Sequence, residues 1–119
     1  MNAWKDTQLA ELDKAVAEYF RILKAAKRTT LTDKDVKQNI IEFMAEQHDV
    51  KISMGWLGGI LYNGALSIQG SSWITVQSFI AAMHDPRLAG HALRERSPLY
   101  IYRLPKVMTG DESPRPKPA

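Results

Sequence analysis

Apolar residues in the first part of the chain recur at three- and four-residue steps. Leu9, Leu12, Val16, Tyr19, Phe20 and Leu23 make one stripe, while Glu11, Lys14, Glu18 and Arg21 occupy the other faces. This period predicts a helix over 6–27, opened by Asp6 or Thr7 and closed by a Lys/Arg-rich turn that suits the negative end of the helix dipole. A second helix is predicted over 32–47. Thr32 is its capping residue, Asp33 and Asp35 put negative charge in its first turn, and Leu31 with Val36 suits a hydrophobic staple. Val36, Ile40, Phe43 and Met44 form its apolar stripe. His48 to Ile52 reads as a short extended connector.

The pattern then changes, because no Asp, Glu, Lys or Arg occurs from Ile52 to Met83. Ser53 is placed to cap a helix over 54–62, and Asn63-Gly64 to stop it, with glycine free to take positive φ. Gly55, Gly58 and Gly59 each lower helix propensity by about 1 kcal/mol relative to alanine, so this helix needs tertiary packing. Met54, Leu57 and Leu61 share one face, Trp56 and Ile60 a second, and Gly55 with Gly59 a flat strip. Three readings stay open for it: a buried core helix, a docking helix, and a DNA-reading helix.

Further on, the apolar runs Ala65–Gln69 and Trp73–Val76, split by Gly-Ser-Ser, predict a small hairpin. Val76, Phe79, Ile80 and Met83 predict a helix over 75–84, which leaves Trp73–Gln77 ambiguous between strand and helix. Asp85-Pro86 opens a helix predicted over 86–95 with Leu88, Ala92 and Leu93 inward. Ser97-Pro98 ends it, and Leu99–Leu104 alternates as a strand. The order helix, helix, connector, third helix, glycine exit and late strand resembles the winged helix-turn-helix family. The residues that carry the resemblance are Leu31-Thr32, Ile52-Ser53, Leu57, Leu61 and Gly64-Ala65-Leu66, with 99–104 as the returning wing strand. It implies an α+β, helix-rich fold with a winged-helix-like three-helix core and a small two- or three-stranded sheet, to which the long 67–98 segment of this chain adds an insertion or one or two extra helices. It also implies DNA binding. The chain departs from the family in two ways: the implied wing, 67–98, is too long for a simple hairpin and looks helical over 76–95, and the implied recognition helix has no Arg or Lys, its polar candidates being Ser53, Trp56, Tyr62 and Asn63.

Composition narrows the function classes. The chain has 119 residues, 45% of them hydrophobic, and no cysteine. One domain over 1–106 is expected, followed by a disordered Pro-rich basic tail over 107–119. Disulfides and thiolate zinc sites are excluded. A cytoplasmic protein without a membrane span is expected from the absence of a secretion signal and of a long apolar run. Net charge is +3. The cations cluster as Arg21, Lys24, Lys27 and Arg28, and as Arg87, Arg94, Arg96, Arg103 and Lys106; each cluster suits a polyanion footprint or a solvated face.

Catalytic chemistry finds little support in the pattern. His48, His84 and His91 lack a ligand partner set, Gly70-Ser71-Ser72 lacks the frame of a nucleophile elbow, and Gly55-x-x-Gly58-Gly59 lacks the Lys-Ser/Thr of a phosphate loop. The expectation is a non-enzymatic protein without metal, cofactor or small-molecule substrate. Two functions remain. The first is a DNA-binding regulator of the small kind that mobile elements encode, as a monomer or homodimer, contacting DNA through Arg21, Lys24, Lys27, Arg28, Ser53, Asn63, Arg94, Arg96 and Arg103. The second is an interaction module or inhibitor that docks on a larger host or phage complex through Trp56, Ile60, Tyr62, Tyr100 and Tyr102, where aromatic residues serve as interface anchors.

Overall fold

The computed structural model describes residues 5–95, and all its elements there are helical. They are α1 (Asp6–Ala26), α2 (Asp33–Gln47), α3 (Met54–Asn63), a 3₁₀ segment (Gly64–Gly70), α4 (Trp73–Met83) and α5 (Leu88–Ala92). Among the described residues there is no strand, so the expected α+β fold with a sheet is replaced by an all-helical one. The predicted strand 99–104 and tail 107–119 lie outside the described residues.

Local chemistry explains most helix ends. At α1 the backbone N–H of Lys5 donates to Gln8 Oε1 at 2.7 Å, so the cap sits one residue before the expected Asp6. At α2, Asp35 N–H donates to Thr32 Oγ1 at 3.1 Å while Thr32 N–H donates to Asp35 Oδ2 at 2.9 Å, a reciprocal capping box. Asp49 takes a left-handed φ of 53°, after which Val50 N–H returns to the Met44 carbonyl at 3.2 Å. Ser53 Oγ accepts from Trp56 N–H at 2.9 Å to start α3, and Gly64 leaves it with φ 53°.

The predicted hairpin is the main local correction. Residues 65–69 tighten into the 3₁₀ segment, where Ile68 is buried, and Trp73–Val76 becomes the first turn of α4, capped by Ser72. Helix wins because Val76, Phe79, Ala82 and Met83 bury together along one face, whereas an isolated short hairpin has nothing to cover it. The 3₁₀ segment is held to α3 by Ser67 Oγ, which donates to the Gly59 carbonyl at 2.9 Å. A Cβ on Gly59 would lie 3.2 Å from Ser67 Oγ, so a side chain there would make the serine shift. The helix expected over 86–95 shortens to Leu88–Ala92; in the turn before it Asp85 Oδ1 accepts from the Arg87 backbone N–H at 2.9 Å, and the same carboxylate meets the His48 and Arg87 side chains.

One core joins all the helices, with Tyr19, Phe43 and Phe79 among its largest members. Packing pairs α1 with α4, α2 with α5, and α3 with the 3₁₀ segment. Asn39 is fully buried within this core, and its Nδ2 donates to the Ala92 carbonyl at 2.9 Å and the Arg94 carbonyl at 3.1 Å. The Ala92 carbonyl is at the C-terminal end of α5, where helix acceptors otherwise lack partners, and Arg94 lies two residues beyond it.

Candidate interaction surface

The aromatic corner forms where the end of α1, the start of α2 and the end of α3 meet. Tyr19 is fully buried, and its hydroxyl donates to Asp33. Asp33 also accepts from the Tyr62 hydroxyl at 3.3 Å and pairs with Lys37 Nζ at 3.4 Å. Burial pushes Asp33 up, but the bonds from Tyr19, Lys37 and Tyr62 outweigh it and hold the carboxyl below its ordinary value. Burial, then the neighbouring carboxylate, raises the Tyr19 hydroxyl well above its ordinary value. Asp33 therefore stays ionised and Tyr19 neutral, which makes this a structural clamp.

Two aromatic rings remain exposed on that clamp. Phe20 is 39% exposed and Tyr62 is 57% exposed. Their ring centroids lie 5.8 Å apart at an interplanar angle of 72°, an edge-to-face contact. Lys37 Nζ sits 5.0 Å from the Tyr62 ring centroid, over its face. The apolar stripe expected of α1 is thus rotated: Leu12, Ala15, Tyr19, Ile22 and Ala26 are buried, while Phe20 faces out. Lys24 and Lys27 follow Phe20 at the i+4 and i+7 positions, on the same side of the helix.

The residues expected to contact nucleic acid separate in space. Lys24, Lys27 and Arg28 are exposed around the end of α1. Arg21 pairs with Glu18, whose carboxyl is held below its ordinary value chiefly by that hydrogen bond. Arg94 reaches across to Glu42 at 2.8 Å. Ser53 commits its hydroxyl to the α3 cap, and Asn63 is exposed at the other end of that helix. Arg96 and Arg103 lie outside the described residues.

Of the expected docking residues, Tyr62 is exposed, but Ile60 is fully buried and belongs to the core. Trp56 is half-buried: its Nε1–H donates to Ser71 Oγ at 3.0 Å, and its ring meets Phe79 edge-on at 6.0 Å. Tyr100 and Tyr102 lie outside the described residues. Sequence reasoning missed Phe20 and Lys37 as surface partners of Tyr62.

A second polar cluster joins the end of α2 to the turn before α5. His48 Nε2 lies 3.0 Å from Asp85 Oδ2, Arg87 bonds the same carboxylate at 2.7 Å, and Arg87 also reaches Gln47 Oε1 at 2.6 Å. Hydrogen bonds from the Arg87 side chain and backbone, with a further one from His48, hold the Asp85 carboxyl far below its ordinary value. The carboxylate is saturated, so it ties loops together and is poorly placed to accept a proton. A shallow cleft of about 260 Å³ lies beside it, lined by Glu18, Arg21, Ile22, His84, Pro86 and Leu88 among others. Among the described residues no group of three or more metal-ligating side chains converges, and no helix is long and apolar enough to cross a membrane. No family model, curated protein or solved structure matches the chain, so the functional reading rests on its own residues.

Proposed function

We propose that this chain is a non-catalytic interaction module that docks a partner protein on the corner built by Phe20 and Tyr62. The observation that carries this reading is the exposed edge-to-face pair itself, anchored from below by the Tyr19–Asp33–Tyr62 hydrogen bonds. Such a pair is large, apolar and already ordered, so a partner covering it gains burial at little entropic cost. The uncharged surface of α3 supports docking better than base readout. The test is affinity capture from nuclease-treated lysate of the source cells, with the wild-type chain and with Tyr62→Ala. Capture of a stoichiometric protein by the wild type and its loss in the variant are expected. Equal capture by both would refute the site.

A second reading, contact with DNA, is favoured by one observation: Lys24, Lys27 and Arg28 are exposed together at the end of α1. Their action would be electrostatic and independent of sequence, and it would weaken steeply with salt. A gel-shift titration in dilute salt checks it. Absence of any shift at about 50 mM salt would exclude it.

A further inference from the structure

We infer that the Phe20–Tyr62 corner receives a short acidic protein segment carrying one apolar anchor residue; this names the partner class for the interaction reading above and rests on it. Charge is the first observation. Between residues 20 and 37 there are six cations (Arg21, Lys24, Lys27, Arg28, Lys34 and Lys37) against two acids (Asp33 and Asp35). That local net of four positive charges exceeds the whole chain's net of +3, so everything else is net negative by one. This stretch is one of two basic concentrations in the chain; the other, 87–106, carries Arg87, Arg94, Arg96, Arg103 and Lys106 against Glu95. Asp33 and Glu18 offset Lys37 and Arg21, with which they pair, so the charge offered to a partner comes from Lys24, Lys27, Arg28 and Lys34.

Geometry is the second observation. Phe20, Lys24 and Lys27 form a track along one side of α1, about 10 Å long at the helical rise of 1.5 Å per residue. An extended peptide advances about 3.3 Å per residue, so some three or four residues span the track. An apolar side chain against the Phe20 and Tyr62 rings leaves neighbouring carboxylates level with Lys24 and Lys27, both exposed.

Other occupants match less well. A second copy of the chain would bring two positively charged corners together, which like-charge repulsion opposes. A stacked nucleobase needs an open ring face, but Lys37 covers one face of Tyr62 and Phe20 meets that ring edge-on.

The test is fluorescence anisotropy with the full chain and three labelled probes: a short peptide of glutamates around a central leucine, its glutamine counterpart, and an oligothymidylate. The acidic peptide is expected to bind, the glutamine version at least about tenfold more weakly, and added salt to weaken the complex. Lys24→Gln combined with Lys27→Gln should weaken binding about tenfold while leaving the circular dichroism spectrum unchanged, since both side chains are exposed. Tyr62→Ala should weaken it comparably. Equal binding of the glutamine peptide, tighter binding of the oligothymidylate, or no binding of the acidic peptide overturns the proposal. If the peptide fails while Tyr62→Ala still abolishes partner capture from lysate, the acidic class falls and the interaction reading stands; if capture is also insensitive, both fall.

Discussion

Removing the Asn39 side chain should cost more than its size suggests. It is fully buried, and its amide spans the gap between α2 and the end of α5, donating to the Ala92 and Arg94 carbonyls. In Asn39→Ala two hydrogen bonds disappear, each worth about 1 kcal/mol net, and any carbonyl left buried without a partner costs about 1–3 kcal/mol more. Ala92 is itself fully buried, so its carbonyl has no ready access to water. The expected loss is about 2–4 kcal/mol, a large share of the roughly 5–15 kcal/mol typical of a domain. Urea denaturation read by circular dichroism measures it. With a slope of about 1 kcal/mol per molar for a small domain, the midpoint should fall by about 2 M or more. Amide exchange should show α5 losing protection first, because its docking to α2 is what the amide secures. Asn39→Asp should be worse than alanine near neutral pH, since a carboxylate then faces two carbonyl oxygens. Its excess penalty should shrink in acid, where the protonated carboxyl regains a donor. A loss below about 0.5 kcal/mol for Asn39→Ala, or an aspartate variant as stable as wild type at neutral pH, would refute this account of the clamp.

The glycines of α3 make a paired prediction: Gly58→Ala, with open space around the new methyl, should stabilise by up to about 1 kcal/mol, whereas Gly59→Ala should gain less or lose, because Ser67 must move. Equal effects in urea melts would show that the close approach does not matter. The Asp85 carboxyl is depressed in the fold, so its stabilisation is present above the ordinary carboxylate value of 3.8 and is lost as pH falls below that value. Asp85→Asn should therefore flatten the acid limb of a stability-against-pH curve, and an unchanged limb would count against the His48–Asp85–Arg87 tie. Trp56→Ala should destabilise by about 2 kcal/mol or more through lost packing on Phe79 and the lost Ser71 bond, while Tyr62→Ala stays within about 1 kcal/mol. Calorimetry on the two variants separates the core tryptophan from the surface tyrosine.

Half of the candidate site was legible in advance. Tyr62, Lys24, Lys27 and Arg28 could be picked out as residue types that make contacts, from an uncharged helix and a basic run. Phe20 could not, because its spacing satisfies the core stripe of α1 as well as Ile22 does; only the packing of the other helices, α4 foremost, decides which of the two is covered. Lys37 carries no mark in the sequence, because Tyr62, whose ring it covers, lies 25 positions further on. The same ambiguity misassigned Ile60, whose place on the second face of α3 said nothing about whether that face would be open. Arg21 and Arg94 counted as free cations in the sequence, yet Arg94 is taken by a glutamate 52 residues away.

What the sequence alone determined lies within about one helical turn: the Thr32–Asp35 box, the Ser53 cap, the Gly64 exit and the helical period of α1, α2 and α4. These features depend on hydrogen bonds and side-chain spacing between near neighbours, so they survive any global arrangement. The tertiary structure decided the rest: the conversion of 65–76 from expected hairpin to 3₁₀ segment and helix turn, the burial of Asn39, and the rotation of α1 that leaves Phe20 outside. Each of those outcomes hinges on a surface supplied by another helix. The contacts responsible join residues as far apart as Asn39 and Arg94, 55 positions along the chain. A short apolar run has no preference strong enough to resist such a surface, and so its final conformation is set by what it packs against.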